Sequence, residues 1–265
     1  MNPEMADGAS RFWRGINHVI ISLMHGVLLL TARRSYRNID RIPSEGGLLV
    51  VSNHISHFDA FALPHAVRSS GRNPLGMGKI ELFRIPVLGR WFANIGHVSV
   101  DRAATPSDAL APAAAALRQG KVLCMYPEGT INTTPELGLI TGRTGVARLA
   151  LQSGAPVVPI GQWGPQVALT PTGRIAALRA PRLFGWFRAG RLPRRPRCVL
   201  IVGDPISPAE LRAVAGPNGD DLRAVTDHVM TRIGALVAEA SGMPETARLD
   251  TGTPARTHAK AAAAN

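Results

Sequence analysis

Short apolar runs separated by helix-like stretches dominate the central part of the chain. Residues 47–52, GLLVVS, contain the β-branched pair Val50 and Val51, which is typical of a buried strand. Runs of this kind predict strands over residues 47–52, 98–100, 122–126, 156–160 and 198–202. Helices are predicted between them over residues 60–67, 107–119 and 144–152, and after them over residues 220–240. Because strands alternate with helices, the predicted fold class is α/β.

The N-terminal residues have a different pattern. Residues 12–32 are largely apolar and are followed by Arg33, Arg34 and Arg37. A membrane-spanning helix needs about 20 apolar residues, and this stretch approaches that length but contains polar residues such as Asn17. We interpret it as a helix lying in or on a membrane, with the arginines at the lipid headgroups. A helix packed on the core of the domain is the alternative.

The C-terminal residues predict a disordered tail. Beyond Gly242 the sequence consists mostly of Thr, Pro, Ala and Arg, which cannot bury enough apolar surface to order the chain. The predicted organisation is therefore an N-terminal membrane-associated helical segment (residues 1–40), a main domain (residues 41–242) and a disordered tail (residues 243–265).

The charge of the chain is strongly positive, with a formal net charge of +12 at pH 7. This excess predicts anionic partners. Residues 172–197 hold eight arginines and no acidic residue, with aromatic residues among them. That composition suits an anionic bilayer or an acidic acyl donor; a solvated loop is the alternative. Nucleic acid is not expected, because no nucleic-acid-binding motif accompanies the charge.

The strongest candidate chemistry lies directly after the first predicted strand, in residues 53–59, NHISHFD. A turn there can bring His54 and Asp59 together, so that Asp59 accepts a hydrogen bond from one imidazole nitrogen and leaves the other as a base. Two other interpretations remain open. Ser56 and Asp59 fit a helix capping box. His54 and His57 could be metal ligands, but no second cluster completes such a site, so we expect no metal.

Further segments extend the pattern in residues 53–59. Residues 96–102 read GHVSVDR, residues 126–130 read YPEGT and residues 155–160 read APVVPI. Taken in this order, the segments resemble the conserved blocks of the glycerolipid acyltransferase family, to which 1-acyl-sn-glycerol-3-phosphate acyltransferases belong, and in particular its actinobacterial branch. The resemblance covers roughly residues 40–210 and implies the fold of that family, a mixed, mostly parallel sheet flanked by helices.

The resemblance also implies roles for individual residues. His54 would be the general base that deprotonates an acceptor hydroxyl, and Asp59 would orient it. Arg102 would bind the acceptor phosphate. Glu128, Gly129 and Thr130 would help to hold the acceptor. The reaction would be direct acyl transfer from acyl-coenzyme A or acyl carrier protein to lysophosphatidic acid, yielding phosphatidic acid for phospholipid synthesis. The donor is a co-substrate, and no cofactor is expected.

The sequence departs from the family pattern after Thr130. Many members carry Arg-Ser at this point, whereas Ile131 and Asn132 occur here. Arg143 falls near a family lysine and could supply the cation instead. Glycerol 3-phosphate or a glycolipid hydroxyl is therefore an alternative acceptor, and a non-catalytic protein that binds anionic lipid is an alternative function. We expect the protein at the cytoplasmic face of the cell membrane, held peripherally or monotopically.

Overall fold

The computed structural model describes residues 11–101, 103–133, 139–168 and 197–242. The predicted tail over residues 243–265 lies outside the described residues. So does the basic segment over residues 172–197, except for Arg197.

The described strands form one seven-stranded sheet in the order β1-β7-β6-β2-β5-β3-β4. Their bounds are β1 Arg33–Arg37, β2 Leu48–Ser52, β3 Pro74–Lys79, β4 Val98–Val100, β5 Val122–Met125, β6 Val157–Trp163 and β7 Arg197–Val202. All neighbours are parallel except β6 and β7. The carboxyl ends of β2, β3, β4, β5 and β6 therefore lie at one edge, which we call the carboxyl edge.

Helices connect and cover these strands. Their bounds are α1 Arg11–Thr31, α2 Asp59–Arg68, α3 Ile80–Phe83, α4 Pro86–Asn94, α5 Pro106–Arg118, α6 Gly145–Ser153, α7 Pro165–Ala168, α8 Pro208–Val214 and α9 Leu222–Ser241, with a 3₁₀ turn over Ile39–Arg41. Local sequence explains several of the starts. Thr105 caps α5 by accepting the N–H of Asp108, Ser207 caps α8 by accepting that of Glu210, and a proline follows each cap.

Apolar side chains on both faces of the sheet build the core. Along β2, Leu49 and Val51 pack into one buried cluster with α5, α6 and α9, whereas Leu48 and Val50 pack into a second cluster with α2. Successive strand side chains point to opposite faces, so β2 is apolar throughout because both faces are covered. This double burial explains the continuous apolar runs in the sequence.

The predicted α/β class and the mostly parallel sheet flanked by helices are confirmed. Each predicted strand and helix of the central region corresponds to an observed element. Two strands were missed. In β1 the sequence RRSYR carries arginines and forms an edge strand beside β7, and in β3 the sequence PLGMGK contains proline and glycine, which disfavour strands.

Helix α1 covers most of the apolar N-terminal stretch and ends at Thr31. Among the described residues, no helix combines the length and the apolarity that crossing a bilayer requires. Arg33, Arg34 and Arg37, which were expected at lipid headgroups, are part of β1.

Candidate active site at the carboxyl edge

The loop between β2 and α2 places His54 at the carboxyl edge, and a buried amide network fixes the start of that loop. The Asn53 side chain donates to the Gln162 carbonyl at 3.0 Å and accepts the Gln162 main-chain N–H at 2.9 Å. The Gln162 side chain donates to the Asn53 carbonyl at 2.6 Å. Because both side chains are almost fully buried, this exchange ties the residue before His54 firmly to β6.

His54 and Asp59 are brought together as the sequence predicts. The His54 Nδ1 atom lies 2.9 Å from Asp59 Oδ2. A carboxylate acceptor assigns the proton to Nδ1, so Nε2 carries the free lone pair. The His54 side chain is 17% exposed and that of Asp59 is 0% exposed. A substrate hydroxyl can therefore reach the imidazole but not the carboxylate.

Asp59 also holds the loop in place. Its Oδ2 accepts the main-chain N–H groups of Ile55 and Ser56 at 2.7 and 2.8 Å. The bond from Ser56 is the reach-back half of a capping box, whereas the Ser56 hydroxyl accepts from Phe58 rather than from Asp59. The capping and orienting interpretations are thus compatible, because one oxygen performs both tasks.

Burial controls the titration of Asp59. Desolvation raises the pKa of its carboxyl, and the hydrogen bonds from His54, Ser56 and Ile55 oppose that rise without cancelling it. All three bonds go to Oδ2, and Oδ1 has no hydrogen-bond partner among the described residues. The carboxylate is therefore held by one oxygen in a nearly dry environment, where its charge interacts strongly with an imidazolium.

The end of β5 supports His54 from the other side. Tyr126 stacks on the imidazole with ring centroids 4.1 Å apart and an interplanar angle of 15°. Glu128 accepts the main-chain N–H of His54 through Oε1 at 2.9 Å. The main-chain N–H of Asn132 donates to the His54 carbonyl at 2.7 Å. Both main-chain groups of His54 are therefore bound by the segment that begins with the YPEGT motif.

Glu128 is 2% exposed, and burial raises its pKa to about 8. Its Oε2 has no hydrogen-bond partner among the described residues. Glu128 is bound by main-chain groups, that of His54 among them, and the expected contact with an acceptor stays a prediction.

Gly129 and Arg143 meet beside the motif. Gly129 has a φ of +68°, and a Cβ atom there would lie 2.8 Å from the Cδ and Nε atoms of Arg143. Only glycine fits this backbone and this close contact. The Arg143 main-chain N–H donates to the Pro127 carbonyl at 2.8 Å, and its side chain is exposed, as is that of Thr130. The structure thus brings Gly129 and an exposed guanidinium together near His54.

The contacts described for His54 include neither Arg102 nor His57. Arg102 lies outside the described residues, so its phosphate-binding role stays a prediction. His57 is exposed to solvent. Within the described ranges, no group of three metal-ligating side chains occurs.

Sequence reasoning missed two supporting residues, Gln162 and Asn132. Gln162 is a polar residue at the end of an apolar strand, in a position where parallel sheets place functional groups, and this was the signal that could have identified it. Asn132 appeared only as a departure from the family pattern. Its contact with His54 is made by the main-chain amide, which any residue except proline could provide.

Comparisons with known proteins agree with the fold. A solved structure, that of the 1-acyl-sn-glycerophosphate (LPA) acyltransferase PlsC from Thermotoga maritima, matches with a TM-score of 0.56 and 18% sequence identity, covering 86% of this chain and 84% of the other. At this identity the match establishes the fold alone. No curated protein sequence matches the chain. The model of the acyltransferase family matches residues 33–163, which include His54, Asp59 and the YPEGT motif. The domain built by these residues therefore belongs to the acyltransferase family.

Proposed function

We propose that the protein transfers a fatty acyl chain from a thioester to the free hydroxyl of lysophosphatidic acid, which yields phosphatidic acid. The observation that carries this proposal is the contact between the partly exposed His54 and the fully buried Asp59, within a domain of the acyltransferase family. The structural neighbour, described as an LPA acyltransferase, supports the choice of acceptor by analogy.

The geometry supports direct transfer. The Nε2 atom of His54 would take the proton of the acceptor hydroxyl while the hydroxyl oxygen attacks the thioester carbonyl. Asp59 would stabilise the imidazolium through Nδ1–H. Collapse of the tetrahedral intermediate would break the carbon–sulfur bond, and His54 would return the proton to the departing thiolate. No enzyme nucleophile is required, and the chain is not acylated.

The acceptor phosphate would lie beside the YPEGT motif. Arg143 presents an exposed guanidinium there, and a guanidinium binds phosphate in a bidentate way. We propose Arg102 as the second cation and Gly129 and Thr130 as neighbours of the acceptor. The donor would be acyl-coenzyme A or acyl carrier protein, and the reaction would take place at the cytoplasmic face of the cell membrane.

A second acceptor follows from the segment after Thr130. Ile131 and Asn132 stand where many relatives carry Arg-Ser, so this position offers no cation to a phosphate. With fewer cations, glycerol 3-phosphate or a glycolipid hydroxyl is the alternative acceptor for the same chemistry.

One product analysis tests both candidates. Purified protein is incubated with palmitoyl-coenzyme A and an equimolar mixture of lysophosphatidic acid and glycerol 3-phosphate, and the products are identified by mass spectrometry. Phosphatidic acid is expected as the main product. In His54→Ala, thiol release should fall about 10²- to 10⁴-fold. Undiminished release by that variant would refute the assigned base, and vesicle binding without any product would indicate a non-catalytic lipid-binding protein.

A further inference from the structure

Large apolar side chains are exposed on the connection that follows β3. Leu82 is 38% exposed, Ile85 47% and Val87 74%. They occur within six consecutive residues across the junction of α3 and α4. Scattered exposed apolar residues are ordinary, but a contiguous group of this kind marks an interaction surface.

Helix α1 extends this surface. Phe12, Val19 and Leu23 are each more than 60% exposed. Their spacing of seven and four residues puts them on one face of the helix. Helix α1 packs against α2 and α4, so the helix that carries these residues is a neighbour of the α3–α4 connection. We call the two groups together the apolar rim.

Part of the apolar rim lies at the carboxyl edge, where His54 is placed. Helix α3 begins directly after the carboxyl end of β3. Strand β1 runs parallel to β7 and β7 runs antiparallel to β6, so β1 starts, and α1 ends, at the carboxyl edge. Phe61, 41% exposed, lies on the first turn of α2 two residues after Asp59. The α3–α4 junction, Phe61 and the C-terminal end of α1 therefore lie at the edge of the sheet that carries the candidate active site.

The charges of this region are predominantly positive. Lys79, Arg84 and Arg90 are exposed around the α3–α4 junction, and Glu81 is the one acidic residue in residues 79–94. The sequence of α1 contains no acidic residue. Apolar side chains surrounded by cations complement a surface with negative headgroups above hydrocarbon. An acidic amphipathic helix of a soluble partner would also match apolar residues beside cations, and binding to vesicles distinguishes the two.

We propose that the apolar rim is the surface that seats the protein on an anionic bilayer, with Ile85 and Val87 entering the acyl-chain region beside the mouth of the active site. This inference rests on the proposed function, because it explains how an acceptor in the bilayer reaches His54. It adds a bilayer contact at the α3–α4 junction to the one expected for the N-terminal helix.

Site-specific fluorescence tests the location of the contact. An environment-sensitive dye is attached to the thiol of Val87→Cys in the full chain. Labelling is selective, because Cys124 and Cys198 are buried and burial raises the pKa of each thiol to about 12. The matched control is Arg212→Cys on α8. That residue is exposed and follows the end of β7, at the opposite edge of the sheet.

The vesicles contain phosphatidylcholine with about one-third phosphatidylglycerol, so their negative surface attracts basic segments. Adding them should shift the emission of the dye at position 87 to shorter wavelength. The dye at position 212 should stay unchanged, and pure phosphatidylcholine should give a weaker shift. An unshifted dye at position 87 overturns the proposal, whether or not the protein sediments with the vesicles. A shift produced by a soluble acidic protein such as acyl carrier protein, but absent with vesicles, would also overturn it.

Activity separates this proposal from the proposed function. The double variant Ile85→Asp with Val87→Asp removes no buried side chain, so it should fold. It should lose at least tenfold in activity on long-chain lysophosphatidic acid in vesicles and retain activity on a short-chain, water-soluble acceptor. Equal activity of variant and wild type on vesicles would refute the seating surface. Failure of the wild type on both acceptors would refute the proposed function itself.

Discussion

Two histidine–carboxylate pairs among the described residues have nearly equal contact distances and very different surroundings. His54 and Asp59 are 2.9 Å apart at the carboxyl edge, whereas His228 and Glu210 are 2.8 Å apart between α9 and α8. The Asp59 side chain is 0% exposed, and that of Glu210 is 35% exposed. Arg232 also reaches Glu210 at 3.0 Å.

The pKa values of the two carboxyl groups are shifted in opposite directions. Burial raises the pKa of Asp59 despite its hydrogen bonds. The slight burial of Glu210 also raises its pKa, but the hydrogen bonds and charges of His228 and Arg232 lower it by more, so its pKa lies below the usual value. Contact distance therefore does not distinguish the proposed catalytic pair from the surface pair. The distinction comes from desolvation, which keeps the carboxylate away from water and its charge unscreened.

The largest expected effect is the loss of the charge on Asp59. In Asp59→Asn the amide oxygen can still accept the N–H groups of Ile55 and Ser56, but the negative charge that stabilises a histidinium is gone. We expect kcat to fall about 10²- to 10⁴-fold, as for comparable changes in other histidine–aspartate pairs, with a smaller change in KM. Steady-state thiol release measures both.

The equivalent change at the surface pair is the control. Glu210→Gln should leave kcat within about twofold of the wild-type value, since surface substitutions far from a site have small effects. Equal losses in the two variants would show that the pairs do not differ in function. A fully active Asp59→Asn would remove the orienting role of Asp59.

Glu128 should have the next largest effect. Glu128→Ala leaves the buried main-chain N–H of His54 without its acceptor, which costs about 1–3 kcal/mol and should lower kcat about 10- to 100-fold. Glu128→Gln keeps an oxygen in the position of Oε1 and should retain most of the activity. Separate values of kcat and KM distinguish support of the His54 loop from binding of the acceptor. If Glu128 bound the acceptor, both substitutions would raise KM.

The sequence predicted where the candidate site lies along the chain better than it predicted the contacts that hold the His54 loop in place. Residues 53–59 follow a continuous apolar run, so their place directly after a buried strand could be predicted from the local pattern. The contacts from Glu128, Asn132 and Gln162 to that loop join residues more than 70 positions apart along the chain. No local pattern encodes such pairings, because they depend on which strands become neighbours in the sheet.

The missed strands have related causes. Strand β3 contains proline and two glycines, and it forms because β5 and β4 offer free edges beside it. Strand β1 lacks an apolar run because it lies at the end of the sheet, where its side chains are exposed or only half-buried and arginine is tolerated. Tertiary pairing overrides weak strand propensity in both cases.

A pH series tests the consequence of burial on stability. The pKa of Glu128 in the folded protein is about 8, above its ordinary value of 4.5. The folded protein therefore retains a proton that the unfolded chain releases, and its stability falls as pH rises from the ordinary pKa through the raised one. Glu128→Gln cannot titrate, so its Tm relative to wild type should increase steadily between about pH 5 and pH 8. Parallel Tm curves for the two proteins over this interval would contradict the raised pKa.

The smallest effect is expected at the surface pair, and it should depend on salt. Because the pKa of Glu210 is lowered, its stabilising contribution is present above the ordinary pKa and is lost as pH falls through the lowered one. In Glu210→Gln we expect the free energy of unfolding at neutral pH to decrease by about 0.2–1 kcal/mol, since water screens exposed ion pairs. The loss should shrink further at about 1 M salt, where the Debye length is about 3 Å. Denaturant titration at low and high salt measures both values. A larger, salt-independent loss of unfolding free energy would mean that Glu210, like Asp59, is shielded from water. The two pairs would then differ in their position at opposite edges of the sheet and not in burial.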